Sequence, residues 1–76
     1  MPRLKCTFRE FIDIIEAHGF AYLRSGKGSH RRYIGVVRGD TRAVDVAYHR
    51  IDDNILPKTL ASMIRQSGLP KHLFRK

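Results

Sequence analysis

The sequence predicts an α+β fold with the order α-β-β-β-α, in which two helices cover one face of a three-stranded antiparallel sheet. Three observations predict this fold. Apolar residues recur at helical spacing near both ends of the chain, three short runs rich in aromatic and β-branched residues lie between them, and turn-forming segments separate the runs. Because 76 residues provide for one small hydrophobic core, we expect a single domain over residues 1–76.

The first helix is predicted over residues 8–17. Thr7 and Glu10 have the spacing of a capping box, in which the threonine side chain binds a free backbone amide and the glutamate side chain reaches back to the cap. Gly19 stands where a left-handed residue ends many helices. The expected apolar stripe consists of Phe8, Phe11, Ile12 and Ile15.

Three strands are predicted over residues 20–25, 30–38 and 43–48. Each run is rich in residues that favour strands, and the segments Gly-Lys-Gly-Ser at 26–29 and Arg-Gly-Asp-Thr at 38–41 are typical of turns. Consecutive strands that are joined by short turns pair in the antiparallel direction. We expect the face of this sheet that the helices leave open to be solvated.

Alternation along the second strand separates its side chains into two sets. Tyr33, Gly35 and Val37 share one face, whereas His30 and Arg32 share the other. The set with Tyr33 is assigned to the core. His30 is therefore expected to face the solvent.

A second helix is predicted over residues 57–67, after a loop over residues 49–56. Pro57 suits the first helical position, and Gly68 suits the position after the last. Arg65 falls in the last turn, where a cation complements the helix dipole. The expected apolar stripe consists of Leu56, Leu60, Met63 and Ile64.

The chain carries 15 Lys and Arg against 7 Asp and Glu, a formal charge of +8 that favours a polyanionic partner. Nucleic acid is the first candidate, and a solvated basic surface without a specific ligand is the alternative. We expect no membrane partner, because neither helix has the cationic face of a membrane-binding helix. Cys6 is the single cysteine, so the chain cannot form an internal disulfide. No apolar run has the length of a signal peptide or a membrane span. We therefore expect the protein in the cytoplasm.

His30 is the candidate catalytic residue, because a histidine can exchange a proton near neutral pH. Lys27, Arg31 and Arg32 flank it and are candidate phosphate ligands that would stabilise charge as it builds. RNA cleavage by attack of a 2′-hydroxyl on the adjacent phosphorus needs one acid/base group and nearby cations at least, so we expect neither a metal nor a cofactor. An ordinary glycine-rich turn that ends in Ser-His would have the same residues, and this alternative remains open.

The other histidines and Ser29 are weaker candidates. His49 ends the third strand and is the first choice for a second acid/base group or a phosphate donor. Ser29 is assigned a turn or hydrogen-bonding role, because the chain contains no G-x-S-x-G elbow. His18 and His72 are expected to be structural or to face the solvent. Four histidines and one cysteine do not show the spacing of a zinc site.

Several short motifs occur in an order that is typical of one family. They are Gly19-Phe20 after the first helix, Lys27-Gly28-Ser29-His30 with Tyr33 three residues on, the strand end over 46–49, Thr59-Leu60, and residues 64–69. In this ordered set, which spans most of the chain, the sequence resembles the HicA toxin family, also described as YcfA-like. Members of that family are small basic ribonucleases of toxin-antitoxin pairs.

The resemblance implies a fold like that of double-stranded-RNA-binding domains and cleavage of messenger RNA without a metal. It also implies that the catalytic histidine is His30 and that a HicB-type antitoxin covers it. Two departures affect backbone shape more than chemistry. Lys58 precedes Thr59-Leu60 where members often have glycine, and it adds a candidate phosphate contact. Ala47 follows the strand valine where many members have proline.

We therefore interpret the chain as a metal-independent endoribonuclease toxin. The alternative from another class is a non-catalytic RNA-binding module with the same fold, which binds structured RNA by its shape and its phosphates. A degenerate toxin that keeps only the surface for its partner is a third possibility. The intact Gly28-Ser29-His30 run argues against the third.

Overall fold

The structure, a computed structural model, describes residues 5–25 and 30–74. These residues confirm the predicted order α-β-β-β-α. The elements are α1 (Phe8–Ala17), β1 (Ala21–Ser25), β2 (His30–Val37), β3 (Asp40–Ala47) and α2 (Pro57–Ser67), followed by a short 3₁₀ helix (Lys71–Phe74). Within the described ranges, neither α-helix has the length and apolar character that a membrane span requires.

Local signals set the ends of α1, as predicted. The Thr7 hydroxyl accepts a hydrogen bond from the Glu10 amide at 3.1 Å, and the Glu10 carboxylate accepts one from the Thr7 amide at 2.9 Å. At the other end Gly19 has a φ of 93°, and the Phe20 amide donates to the Ile15 carbonyl at 3.0 Å. This is a Schellman ending, which glycine favours because it has no Cβ.

The end of α2 likewise follows its sequence signals, but its start differs in one respect. Pro57 occupies the first turn and Gly68 is the left-handed C-cap with a φ of 71°. Leu56, however, is the N-cap of α2 and its side chain is 72% exposed. The prediction that Leu56 belongs to the apolar stripe was wrong, because the extended backbone at this residue places it outside the helical period.

The sheet has the order β1-β2-β3 and is antiparallel throughout. The β2–β3 pairing runs without interruption from His30 opposite Ala47 to Val37 opposite Asp40. β3 therefore begins three residues earlier than predicted. The pairing continues to Asp40 because the turn between these strands is a two-residue turn of Arg38 and Gly39, both with positive φ.

Both helices pack on the same face of the sheet, and the alternation predicted for β2 is confirmed. Tyr33 and Gly35 are buried, whereas His30 and Arg32 are exposed on the opposite face. We call the face with Tyr33 the inner face and the other the outer face. The core combines Phe11, Ile12 and Ile15 of α1, Leu60, Met63 and Ile64 of α2, and Tyr33, Val44 and Val46 of the sheet.

The chain after α2 contributes to the core, although no element was predicted there. Phe74 is completely buried, and its ring stacks on that of Phe11 with 5.1 Å between the ring centroids. Cys6 is also buried, and its Sγ donates to the Phe74 carbonyl at 3.7 Å. The 3₁₀ helix thus closes the core beside α1.

Gly35 allows the aromatic ring of Phe20 to lie directly on β2. A Cβ at this position would meet the ring at 2.7 to 2.8 Å, which is closer than real contacts allow. We expect Gly35→Ala to lower the free energy of unfolding by about 1–3 kcal/mol, because the buried ring must shift within a packed core. Urea unfolding followed by circular dichroism measures this change.

Val36→Ala is the control for this substitution, because Val36 is the next residue of β2 and its side chain is 61% exposed on the outer face. Its effect should stay within about 0.5 kcal/mol. Equal stability of the Gly35→Ala variant and the parent protein would show that Phe20 does not pack on Gly35 as described.

Candidate active site

His30 lies at one end of the sheet and faces the solvent, as its place in the sequence predicted. It is the first residue of β2, and its backbone pairs with Ala47, the last residue of β3. Its side chain is exposed on the outer face, whereas that of Tyr33 in the same strand is buried on the inner face. A phosphodiester group can therefore reach the imidazole from the solvent side without any rearrangement of the core.

Arg31 is held against an aromatic ring instead of extending freely into the solvent. It is half-buried on the inner face, and its Cζ lies 4.4 Å from the centroid of the Tyr48 ring. Tyr48 in turn packs against Phe8 of α1, with 5.4 Å between the ring centroids. This cation–π contact keeps a positive charge next to His30 in the chain and limits the directions in which the guanidinium can reach.

Arg32 lies on the outer face with His30, but it is paired with a carboxylate. Its register partner on β3 is Asp45, and the two side chains share two hydrogen bonds, Nε to Oδ1 at 3.0 Å and Nη2 to Oδ2 at 3.4 Å. Both side chains are more than half exposed, and ion pairs of this kind are weak. A phosphodiester group of a bound RNA can therefore compete with Asp45 for Arg32.

His49 follows the end of β3 by two residues and is exposed. Because Ala47 pairs with His30, both histidines belong to the same end of the sheet. Lys27 and Ser29, the two remaining candidates of the turn before His30, lie outside the described residues. The structure thus brings four of the predicted site residues to one end of the β2–β3 pair: His30, Arg31, Arg32 and His49.

Lys58 is exposed in the first turn of α2, on the helix layer. The direction of α2 follows from its contacts with β3. The Gln66 side chain accepts from the Asp45 amide at 3.3 Å, and Gly68 lies against the Arg42 side chain. The helix therefore runs opposite to β3, and its first turn points toward the end of the sheet where His30 lies. Lys58 nevertheless lies in the helix layer, on the inner side of the sheet, whereas the His30 side chain lies on the outer face.

Tyr33 belongs to the hydrophobic core. Burial raises the pKa of its phenol, with the nearby Glu16 carboxylate as a smaller cause in the same direction. The group is therefore a neutral phenol at neutral pH and does not act as a base. Its ring meets that of Tyr22 edge-on, with 5.6 Å between the centroids.

Asp52 lies in the loop between β3 and α2. It is exposed, and it forms an ion pair with Arg9, at 2.8 Å from Nε to Oδ1. The Arg9 guanidinium lowers the pKa of the Asp52 carboxyl. Asp52 does not cap α2, whose N-cap is Leu56 and which has no side-chain cap hydrogen bond from a described residue. Among the described residues, no group of three or more His, Cys, Asp or Glu side chains is arranged to hold a metal ion.

A second group of cations, which sequence reasoning missed, lies at the opposite end of the β2–β3 pair. Arg38, Arg42, Arg65 and Lys71 line one cleft there. The excess of cations over residues 24–50 was visible in the sequence. Their convergence was not, because Arg65 and Lys71 approach Arg38 and Arg42 only through the packing of α2 on β3.

Comparison with known proteins identifies the family. The family model described as the HicA toxin of bacterial toxin-antitoxin systems matches residues 8–69, from the start of α1 to just beyond α2. A search of curated proteins and of solved structures found no match. The matched segment contains the helices α1 and α2, the three strands and His30. The chain therefore belongs to the HicA toxin family of bacterial toxin-antitoxin systems, and as a toxin of such a system it has an antitoxin as its partner.

Proposed function

We propose that this toxin is an endoribonuclease that cleaves messenger RNA without a metal ion, with His30 as the general acid/base. The observation that carries the proposal is the position of His30. Its imidazole is exposed at a sheet end on the outer face, which Arg32 shares, and Arg31 is its neighbour in the chain on the inner face. An acid/base group beside cations is the combination that phosphodiester cleavage by the RNA's own hydroxyl requires.

The reaction proceeds by transesterification. The 2′-hydroxyl loses its proton to a base, and its oxygen attacks the adjacent phosphorus. The bond from phosphorus to the 5′-oxygen then breaks, and that oxygen takes a proton from an acid. The products are a 2′,3′-cyclic phosphate and a 5′-hydroxyl, so the RNA itself supplies the nucleophile.

His30 performs one of the two proton transfers, and His49 is our candidate for the other. The assignment of His49 is supported by its exposed position two residues beyond the strand end that pairs with His30. Arg31 supplies positive charge from a restricted position against Tyr48. Arg32 supplies it when phosphate displaces Asp45.

The remaining contacts to RNA are assigned to Lys27, Ser29 and Lys58. Lys27 and Ser29 precede His30 in the chain, and their assignment rests on the sequence alone. For Lys58 the support is the direction of α2, whose first turn points toward the His30 end of the sheet. A phosphate at this helix start would also interact favourably with the helix dipole.

The antitoxin partner is proposed to be a HicB-type protein that covers the His30 site. The toxin has a formal charge of +8, so an acidic partner is expected to bind it through complementary charge. We further propose that residues 1–76 form one domain and that it acts in the cytoplasm, where messenger RNA is translated.

The experiment that tests this function is cleavage of a defined messenger RNA by the purified protein in excess EDTA. We expect fragments that end in 2′,3′-cyclic phosphates, at a rate that EDTA does not lower, because no step uses a metal. Intact RNA after long incubation would contradict the proposed activity. Fragments with 3′-hydroxyl ends, or cleavage abolished by EDTA, would contradict the mechanism.

A non-catalytic RNA-binding module is the competing function. The pairing of Arg32 with Asp45 favours it, since this pair reduces the positive charge available next to His30. Such a module would bind RNA in a salt-dependent manner and leave it intact. The same incubation in EDTA therefore distinguishes the two functions.

A further inference from the structure

The cleft at the end of the β2–β3 pair opposite to His30 has a strongly cationic lining. It lies between the β2–β3 turn and the C-terminal end of α2 and has a volume of about 360 Å³. Arg38, Arg42, Arg65 and Lys71 surround it, and among the described residues that line it none is acidic. Side chains of α2, such as that of Ile64, form an apolar floor.

Arg42 has a donor in this cleft without an acceptor. Its side chain is half-buried, and its Nε is fully shielded from solvent and has no hydrogen-bond partner within the described part of the chain. A buried donor left without an acceptor is unfavourable, so each such group in a native protein calls for an explanation, such as a water or an ion that supplies the acceptor. Because this Nε is shielded in the present arrangement, an anion in the cleft would supply the acceptor once the Arg42 side chain turns toward it.

Gly68 makes this position of Arg42 possible. A Cβ at residue 68 would lie 2.8 Å from the Arg42 Nε, and the φ of 71° at Gly68 also favours glycine. Arg38, which has a φ of 51° in the β2–β3 turn, donates from Nη2 to the Gly68 carbonyl at 3.3 Å. The Gly68 carbonyl at the end of α2 is thus the acceptor for Arg38, whereas the Arg42 Nε has no acceptor among the described residues.

We propose that this cleft binds a backbone phosphate of the RNA substrate, at a second contact point remote from the scissile bond. This proposal rests on the proposed function, because its ligand is the RNA that His30 is proposed to cleave. A backbone phosphodiester suits the cleft, because its two non-bridging oxygens share the negative charge and can accept from two different guanidinium groups at once.

The distance between the two sites sets the length of RNA that can use both. His30 and Val37 are the two ends of β2, seven residues apart, which corresponds to about 23 Å along a strand. The cleft begins at Arg38, directly after this strand. Stacked nucleotides rise about 3.4 Å each, so about seven of them are the minimum for this interval. The RNA must also pass from the outer face of His30 to the side of the sheet on which Arg42 lies. A dinucleotide at the His30 site cannot reach the cleft.

The test measures RNA binding in the His30→Ala background, so that the RNA stays intact. The cleft variant carries Arg65→Ala and Lys71→Ala, two exposed residues whose replacement leaves the core unchanged. We expect it to bind a single-stranded RNA of about twelve nucleotides roughly tenfold more weakly, the value of one charged hydrogen bond. The slope of log K against log salt should become shallower by about 0.7 for the lost phosphate. Binding of a dinucleotide should not change.

The matched control carries Lys5→Ala and Arg9→Ala, which lower the net charge equally at exposed residues outside the cleft. Circular dichroism and urea unfolding verify that both variants fold. Equal RNA affinity and salt slope for the cleft variant and the control would overturn the proposal. Weakened binding of the antitoxin with unchanged RNA binding would also overturn it and would assign the cleft to the protein partner.

The outcome is independent of catalysis. If the parent protein cleaves no RNA but the cleft variant still shows weaker binding than the control, the cleft is supported and the proposed function fails. If the parent protein cleaves RNA and the two variants bind alike, the cleft proposal fails and the function stands.

Discussion

Replacement of His30 by alanine is expected to lower the rate of RNA cleavage by about 10² to 10⁴ fold, which is the usual effect of removing one general acid/base. The fold should persist, because the side chain is exposed and the backbone pairing of residue 30 with Ala47 does not depend on the side chain. Initial rates on a defined RNA measure the effect. RNA binding, measured separately, should change much less than cleavage.

The matched control for this substitution is His72→Ala. His72 is also an exposed histidine, but it lies on the 3₁₀ helix after α2, away from the strand end that carries His30. Its replacement should leave cleavage unchanged. A folded His30→Ala variant that cleaves at the parental rate would remove His30 from the mechanism and would favour contamination or another residue as the source of activity.

In cells, the same two variants test whether growth arrest requires His30 or follows from production of the protein alone. The parent protein and the His72→Ala variant are expected to arrest growth when they are produced without the antitoxin. The His30→Ala variant should not.

His49→Ala examines the second proton transfer of RNA cleavage. A loss of cleavage rate similar to that of His30→Ala would support the assignment of His49 to this step, and an unchanged rate would exclude it.

Replacement of Phe74 by alanine is expected to lower the free energy of unfolding by about 3–5 kcal/mol, as found for buried phenylalanines. The ring is completely buried and stacks on Phe11, so its removal leaves a cavity between the 3₁₀ helix and α1. Small domains have total stabilities of about 5–15 kcal/mol. The substitution therefore removes a large part of the stability, and urea unfolding measures it.

Leu56→Ala is the control for Phe74→Ala. Both substitutions remove a large apolar side chain, but that of Leu56 is 72% exposed. Its loss should change the stability by no more than about 0.5 kcal/mol. If Phe74→Ala proved as mild as Leu56→Ala, the C-terminal 3₁₀ helix would not be part of the core.

The sequence by itself determined the element order, the bounds of both helices and the direction of His30. Each of these depends on interactions within a few residues. The Thr7–Glu10 capping box and the Gly19 ending define α1, and Pro57 and Gly68 define α2. The alternation of side chains along β2 is enough to place His30 opposite Tyr33.

The start of β3 was predicted incorrectly for a local reason. Arg38 adopts a positive φ, which is rare for a residue other than glycine, asparagine or aspartate, so the sequence did not indicate a two-residue turn. The run at 38–41 therefore suggested a longer turn and a later strand. The pairing of Val37 with Asp40 shows the shorter one.

Only the tertiary structure decided which charges near His30 are available and which residues meet at a distance. Arg32 meets Asp45 because of the register between β2 and β3. Arg31 meets Tyr48 because of the path of the chain just after β3. The burial of Phe74 and the convergence of Arg42 with Arg65 depend on how α1 and α2 pack. Such contacts join residues far apart in the chain, and local propensity and periodicity carry no information about them. The catalytic role of His30 remains a prediction from the sequence, and the structure adds an exposed position at a sheet end with cations nearby.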